Sequence, residues 1–195
     1  MIVIHRISVS HVRMESPEQA ARDQLPWRPH LEGKRWSNTP EGIRGFFEEV
    51  MGWRHPAYTA VLSTVWGRWQ WADIGAATNH AGSTWARDCI SVAHVGDWRA
   101  ELPSLETWRQ SVEEVGGLVW ALGLVPTRQL ARAGHIVREV SSHAELARAE
   151  GRDWRCPGAG WPIHRYRSEV WAEAQRLTSE IGPGGPEALG ALGWR

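Results

Sequence analysis

The chain has 195 residues, 42% of them hydrophobic and 23% charged, which is typical of a globular domain. Its 22 basic residues balance its 22 acidic ones, and this zero net charge argues against a nucleic-acid partner. No apolar run approaches the about 20 residues of a membrane span, and the N-terminal run is too short for a signal peptide. We therefore expect a protein made in the cytoplasm, without membrane insertion. The two cysteines do not form a disulfide framework.

The N-terminal part of the chain predicts a strand, two helices and a hairpin. The β-branched segment MIVIHRISV predicts a strand from the first residue. Ser16, followed by proline, caps a short helix through PEQAARDQL. Thr39, also followed by proline, begins a second helix with apolar residues at helical spacing, which ends at Gly52. The segment from Tyr58, YTAVLSTVWGRWQWADI, predicts two strands around a turn at Gly67.

The C-terminal part continues the alternation of strands and helices. CISVAHVGDW predicts a strand, and Ser104 caps a long helix. Pro126 begins a shorter helix to Ala133, HIVREV predicts a strand, and a last helix runs from Pro162 to about Glu180. This order predicts an α/β fold, a single domain with a central mixed sheet flanked by helices.

The domain is expected to cover residues 1–180. Its core lies at about 1–165, and the terminal helix occupies about 162–180. Residues 181–195 are rich in glycine and proline, which predicts a loose C-terminal tail.

The candidate chemistry rests on three residues that are far apart in sequence. His5 ends the first strand, His143 follows the strand HIVREVSS, and Cys156 lies in the loop beyond it. Two imidazoles and one thiolate on tetrahedral zinc leave the fourth position open, which is the pattern of a catalytic site. From spacing alone, a solvent-facing histidine and an ordinary buried thiol remain open alternatives.

Five segments, in order, resemble a known family. They are IVIHR, AYTAVLSTVWGRWQWADIGAATNHAG, CISVAHVGDW, ELPSLETWRQSVEEVGGLV and SSHAELARAEGRDWRCPG. Together they resemble the zinc-dependent N-acetylmuramoyl-L-alanine amidases of the type 2 amidase and peptidoglycan-recognition-protein family, which includes phage endolysins. The resemblance spans nearly the whole chain and is loose from Gln19 to Trp53 and after Tyr166. It implies the type 2 amidase fold.

The resemblance also implies the site. His5, His143 and Cys156 fall on the family's zinc ligands, and Tyr58 falls on the tyrosine that lines the catalytic water. His80, in NHAG, matches a histidine of the substrate groove.

Other residues are candidates for helper roles. Glu145 is a candidate partner for an imidazole, with a solvated surface charge as the alternative. The chain has 14 tryptophans, and flat indoles stack well on sugar rings. Trp66, Trp69 and Trp71 are therefore candidates for substrate binding, with core packing the expected role of at least one.

One position departs from the family. Two residues before the last ligand, active members place Lys or Thr, a polar group near the developing oxyanion, whereas this chain has Trp154. Arg155 is a candidate for the missing donor. The segment from His143 to Cys156 is also longer than in many relatives.

The implied activity is hydrolysis of the lactyl amide between N-acetylmuramic acid and L-alanine of bacterial peptidoglycan by a zinc-bound water. A monomeric phage-type endolysin, released to act on the cell wall, is the leading hypothesis. A cytosolic amidase that recycles muropeptides and a non-catalytic peptidoglycan-binding module are the alternatives.

Overall fold

The computed structural model describes residues 1–10, 12–79, 85, 89–98, 101–132 and 134–195. Within these residues the strands are β1 (Ile2–Ile7), β2 (Ala60–Ser63), β3 (Gly67–Gln70), β4 (Ile90–Val95), β5 (Gln129–Arg132), β6 (His135–Arg138) and β7 (Val140–Ser142). The α-helices are α1 (Pro17–Arg22), α2 (Pro40–Gly45), α3 (Leu105–Leu122), α4 (His143–Ala149), α5 (Ile163–Ile181) and α6 (Glu187–Ala191). Residues Phe46–Val50 continue α2 as a π-helical turn. None of the helices described is both long and apolar enough to cross a membrane.

Five strands form the central sheet in the order β3-β2-β4-β1-β7. The pairs β2–β4, β4–β1 and β1–β7 are parallel, whereas β2 and β3 form an antiparallel hairpin. The predicted α/β fold with a central mixed sheet is thus confirmed. Parallel strands point their carboxyl ends to the same edge, and the residues that follow β1, β4 and β7 therefore meet there.

One face of the sheet packs against α3 and α5. Ile2 and Ile4 of β1 point to this side, where they join Leu118 of α3 and Val170 of α5 in the largest buried cluster. The two helices approach closely at Gly116, where an added Cβ would lie 2.8 Å from Cβ of Glu173. The glycine pair of the long helix therefore permits close helix packing.

The other face of the sheet carries a row of side chains across four strands. Trp69 of β3 pairs with Val61 of β2, Val61 pairs with Ala93 of β4, and Ala93 pairs with His5 of β1. Because side chains at paired positions point to the same face, His5 and Trp69 stand at opposite ends of one register row. Ile43 of α2 and Phe46 and Phe47 of its π-helical turn are buried against this face.

The predicted helix from Pro126 to Ala133 is wrong. Residues Gln129–Arg132 form β5, which pairs with β6 in a two-stranded antiparallel sheet. Among the described residues of this segment, Leu130 packs on a buried cluster, and a single such residue in about two helical turns does not form an apolar helix face.

The predicted strand HIVREV is split at Glu139. The carboxylate of Glu139 is buried and accepts hydrogen bonds from the backbone N–H of Val125 (2.5 Å) and from Nε of Arg128 (2.6 Å). These bonds hold the chain where it leaves the small sheet as β6 and enters the central sheet as β7.

The loose C-terminal tail is also wrong. Trp194 is 3% exposed, and the guanidinium of Arg68 lies 4.4 Å from its ring centroid. The carbonyl of Arg195 accepts a hydrogen bond from the backbone N–H of Ile74 (2.7 Å). A buried indole and a paired backbone thus anchor a segment whose glycines and prolines suggested disorder.

A buried polar cluster lies between the sheet and the two long helices. His94 of β4 is fully buried, with Nε2 3.1 Å from Oγ of Ser111, and Oγ of Ser111 lies 2.6 Å from the hydroxyl of Tyr166. The ring of His94 stacks on Trp161 at 5.0 Å. Burial lowers the pKa of His94 from 6.5 to about 3, so its imidazole is neutral in the folded protein at neutral pH.

We expect His94 to contribute to acid unfolding. Its folded pKa lies below its unfolded one, so the unfolded chain binds the additional proton, and stability is lost as the pH falls from 6.5 towards 3. In that window the free energy of unfolding should fall more steeply in the wild type than in His94→Gln, by up to about 1.4 kcal/mol per pH unit. Urea unfolding at several pH values measures the slope. His164→Gln, an exchange at an exposed position of α5, is the control and should keep the wild-type slope. Equal slopes in His94→Gln and the wild type would contradict the assignment.

Candidate metal centre

The register of the central sheet brings two histidines together. Ile4 of β1 pairs with Ser142 of β7, and His5 and His143 are the next residues along these parallel strands. Their ring centroids lie 4.6 Å apart, and both side chains are buried, with 1% and 9% exposed. The two predicted ligands therefore meet at the carboxyl edge of the sheet.

His143 is held at the first position of α4. Ser142 caps this helix by accepting the N–H of Glu145 (3.2 Å), and the Glu145 carboxylate accepts the N–H of Ser142 (3.0 Å). This capping box had a sequence signal, Ser-x-x-Glu, and α4 was nevertheless missed from the sequence.

Glu145 contacts an arginine rather than an imidazole. Its Oε2 lies 2.5 Å from Nη2 of Arg167, whose side chain is 1% exposed. Nε of Arg167 also donates to the carbonyl of Val140 (2.7 Å). The structure thus places Glu145 in an ion pair that joins α4 to α5 and β7, which fixes the start of the helix that carries His143.

Cys156 reaches the histidines through backbone hydrogen bonds. The N–H of Arg6 donates to Sγ of Cys156 (3.3 Å), and the N–H of Ala144 donates to the carbonyl of Cys156 (2.7 Å). Sγ lies 3.9 Å from Nδ1 of His5. Each of these bonds joins Cys156 to a neighbour of a histidine or to the histidine itself.

The three side chains form a donor set that fits zinc. One ligand atom from each of His5, His143 and Cys156 lies within 4.8 Å of the other two. Tetrahedral zinc with bonds of about 2.0–2.3 Å requires separations of about 3.3–3.8 Å between such atoms, which small side-chain rotations reach. Two nitrogens and one sulfur are a ligand set that zinc accepts, with a fourth position left for water or substrate.

Burial favours the neutral forms of these groups. It lowers the pKa of His143 to about 4, to which the positive charge of Arg152 also contributes. It raises the pKa of the Cys156 thiol to about 11, against the opposing effect of the Arg6 N–H bond. The imidazole is therefore ready to bind a metal at pH 7, whereas the thiol must first lose its proton.

Tyr58 lies beside the donor set. Its ring centroid is 5.2 Å from that of His5, and its side chain is buried. Burial raises the pKa of Tyr58 well above its ordinary value, with a smaller contribution from Cys156. The hydroxyl therefore stays protonated and can donate a hydrogen bond throughout the neutral and mildly alkaline range.

The three candidate tryptophans belong to the aromatic face of the sheet. Trp69 stacks on Trp71 at 4.8 Å, and Trp71 lies 6.0 Å from Phe47. Phe47 in turn contacts Tyr58 edge-on at 5.7 Å. Trp66 lies in the preceding turn and donates from Nε1 to the carbonyl of Asn38 (3.1 Å). All three tryptophans are half-buried, and ring contacts lead from Trp69 to Tyr58.

The remaining candidates lie at the rim or outside the described part of the chain. Arg155 pairs with Asp153 at 3.3 Å, and both side chains are more than 80% exposed. Trp154 contacts His143 edge-on at 4.8 Å and covers this imidazole while remaining 45% exposed. His80 lies outside the described residues.

Comparison with known proteins supports the fold. No protein-family model and no curated protein sequence matches the chain. The N-acetylmuramoyl-L-alanine amidase LysC from Clostridium intestinale URNW aligns with a TM-score of 0.52 at 13% identity, over 87% of this chain and 83% of its own. The endolysin amidase LysCS from the same organism aligns with a TM-score of 0.52 at 14% identity, over 87% and 82%. Drosophila PGRP-LB aligns at 15% identity over 93% and 80%, with a TM-score of 0.46. The chain therefore has the fold of the N-acetylmuramoyl-L-alanine amidases, as its sequence predicts.

Proposed function

We propose that this chain is a zinc-dependent N-acetylmuramoyl-L-alanine amidase that cleaves the lactyl amide between N-acetylmuramic acid and L-alanine in bacterial peptidoglycan. The observation that carries the proposal is the donor set of His5, His143 and Cys156, within 4.8 Å of one another on an amidase fold. A His-His-Cys set with two buried imidazoles and a neutral His143 is suited to zinc and leaves one coordination position for catalysis.

The chain's own residues would bind and orient the reacting groups. When bound, zinc supplies Lewis acidity and lowers the pKa of a coordinated water from 15.7 to about 7. Tyr58 donates a hydrogen bond from its protonated hydroxyl towards the carbonyl oxygen as that oxygen gains charge. Trp154 limits the access of bulk water to His143 by packing against its ring.

The biological setting that we propose is a phage-type endolysin that acts as a monomer on the cell wall after release from the cytoplasm. Lysis of purified cell walls, followed as loss of turbidity, tests this role. Activity restricted to soluble muropeptides would favour the recycling amidase, and binding without hydrolysis would favour the binding module.

Exchange of the thiol ligand tests the metal assignment. Cys156→Ser should lower zinc affinity by more than about 100-fold and abolish lysis, because loss of a direct ligand exceeds the 10- to 100-fold effect of a supporting residue. Zinc content by mass spectrometry and wall turbidity are the readouts, and some wall binding should remain.

The second cysteine provides the matched control. Cys89 is buried in the cluster with Leu146 and Val137, away from the donor set. Cys89→Ser should keep zinc and activity, although its thermal stability should fall. A Cys156→Ser protein that retains stoichiometric zinc would refute the ligand assignment.

Zinc binding should release the thiol proton. Burial holds the pKa of Cys156 at about 11, so the metal-free thiol is protonated at pH 7 and deprotonates on binding. Between about pH 7 and 9 the zinc affinity should rise about tenfold per pH unit. Calorimetry in buffers of different ionisation enthalpy counts the proton. An affinity that does not change with pH would contradict this prediction.

The hydroxyl of Tyr58 is expected to act on the chemical step. Tyr58→Phe should lower kcat by about 10²–10³-fold, the effect of losing one oxyanion donor, with zinc affinity unchanged. The other tyrosine of the chain provides the control: Tyr166→Phe removes a buried hydroxyl bonded to Ser111 on the opposite face of the sheet. It should lower stability by about 1 kcal/mol and leave kcat intact. Equal losses of kcat in the two variants would exclude a specific role for Tyr58.

A further inference from the structure

A cavity of about 570 Å³ lies beside the candidate metal centre. It is lined by the segment between His143 and Cys156, including Ala144 and Trp154, and by Gly158 and Ala159 beyond that segment. This volume is within the range of small-molecule sites, about 300–1,000 Å³.

Three guanidinium groups line this cavity against one carboxylate. The arginines are Arg148 on α4, and Arg152 and Arg155 on the following loop; the carboxylate is that of Asp153. Asp153 is already paired with Arg155 at 3.3 Å. Among the residues that the structure describes, Arg148 forms no ion pair, and Nε of Arg152 lies 3.5 Å from Glu150, which is not part of the lining. The cavity therefore has positive charge to offer an anion.

Trp154 connects this cavity to the metal centre. One part of its ring contacts His143 at 4.8 Å, and the guanidinium of Arg152 lies 5.4 Å from the ring centroid. Arg152 thus stands one aromatic ring away from a predicted metal ligand. One substrate molecule could therefore place its scissile bond at the donor set and another of its groups between Arg148 and Arg152.

We infer that Arg148 and Arg152 bind a free carboxylate of the peptide stem of peptidoglycan, which rests on the proposed function of the donor set. Guanidinium groups bind carboxylates with charge-assisted, often bidentate hydrogen bonds.

The chemistry of the substrate explains why the peptide, rather than the glycan, is assigned to this side. The lactyl carboxyl of N-acetylmuramic acid is consumed in the scissile amide, so the sugar side of that bond carries no charge. Apart from its C-terminus, the stem carries a carboxylate on its second residue and, where the third is diaminopimelate, on the third. Trp69 stands at the other end of the register row from His5 and stacks on Trp71, and this pair is suited to sugar rings. We therefore assign the peptide to the arginines and the glycan to the side of Trp69.

Four synthetic substrates test the inference. All are N-acetylmuramoyl tripeptides with an amidated C-terminus. The second residue is D-glutamate or its α-carboxamide, and the third is lysine or diaminopimelate. At the residue whose carboxylate the arginines bind, the zinc-loaded wild type should cleave the substrate with the carboxylate better than the one without it. Its kcat/KM should be about 10- to 100-fold higher, mainly through a lower KM. The residue whose carboxylate matters identifies the source of the anion. The preference should weaken as ionic strength rises.

Variants of the cavity complete the test. In Arg148→Gln, Arg152→Gln and the double variant, kcat/KM for the preferred carboxylate substrate is compared with kcat/KM for the substrate that lacks this carboxylate. The ratio of the two should fall towards one. Arg148→Lys should keep part of the ratio, because charge remains while the bidentate geometry is lost. Arg109→Gln, an exposed position on α3, should keep the full ratio. A wild type that cleaves all four substrates equally, or a ratio unchanged in the double variant, would overturn the inference while leaving the amidase proposal intact.

Binding of the isolated stem peptides separates the two proposals. Calorimetry with the acetylated tripeptides needs no cleavage. If no substrate is hydrolysed but the carboxylate peptides bind more tightly and the double variant loses this difference, the cavity assignment stands and the catalytic proposal fails. Equal binding of the peptides with and without the carboxylate would overturn the cavity assignment.

Discussion

β1 pairs with β7 at three positions, Ile2 with Val140, Val3 with Ser141 and Ile4 with Ser142, and this short parallel ladder sets the separation of the two histidines that follow it. A shift by one residue would turn His5 to the face covered by α3 and α5. Two interactions secure this register. Ile2 and Val140 are buried in the same cluster, and Nε of Arg167 donates a hydrogen bond to the carbonyl of Val140. The candidate metal centre therefore depends on backbone pairing set by core residues outside the donor set.

Cys156 is held differently, by hydrogen bonds from the chain segments next to the histidines. The N–H of Arg6 holds the thiol of Cys156 beside His5, and the N–H of Ala144 holds the backbone carbonyl of Cys156 beside His143. Burial then keeps the thiol protonated and His143 neutral, so the metal-free chain stores no uncompensated charge at these two groups. A divalent cation that binds there displaces the proton of the Cys156 thiol, and its affinity therefore depends on pH.

The strands of the sheet and the starts of the two long helices could be predicted from the sequence, because β-branched runs, the Ser104 cap and Pro162 are local signals. The proximity of His5, His143 and Cys156 follows from the sequence only through the order of five motifs, since no spacing links His5 to Cys156. Prediction from the sequence failed where tertiary contacts outweigh local pattern. Glu139 splits a β-branched run by accepting hydrogen bonds from residues more than ten positions away, and Trp194 is buried at the end of a segment rich in glycine. The role of Glu145 in a buried ion pair required knowledge of Arg167, which is distant in sequence.

The hydrogen bond between the N–H of Ala144 and the carbonyl of Cys156 closes the segment between two ligands into a loop. The entropy of closing such a loop grows only with the logarithm of its length, about 0.6 kcal/mol for each doubling. Residues can therefore be inserted or exchanged in the part of this segment that follows α4 at small cost in free energy, while His143 and Cys156 keep their places. Under the proposed function, variation in this loop would alter substrate preference through the arginine-lined cavity without moving the donor set.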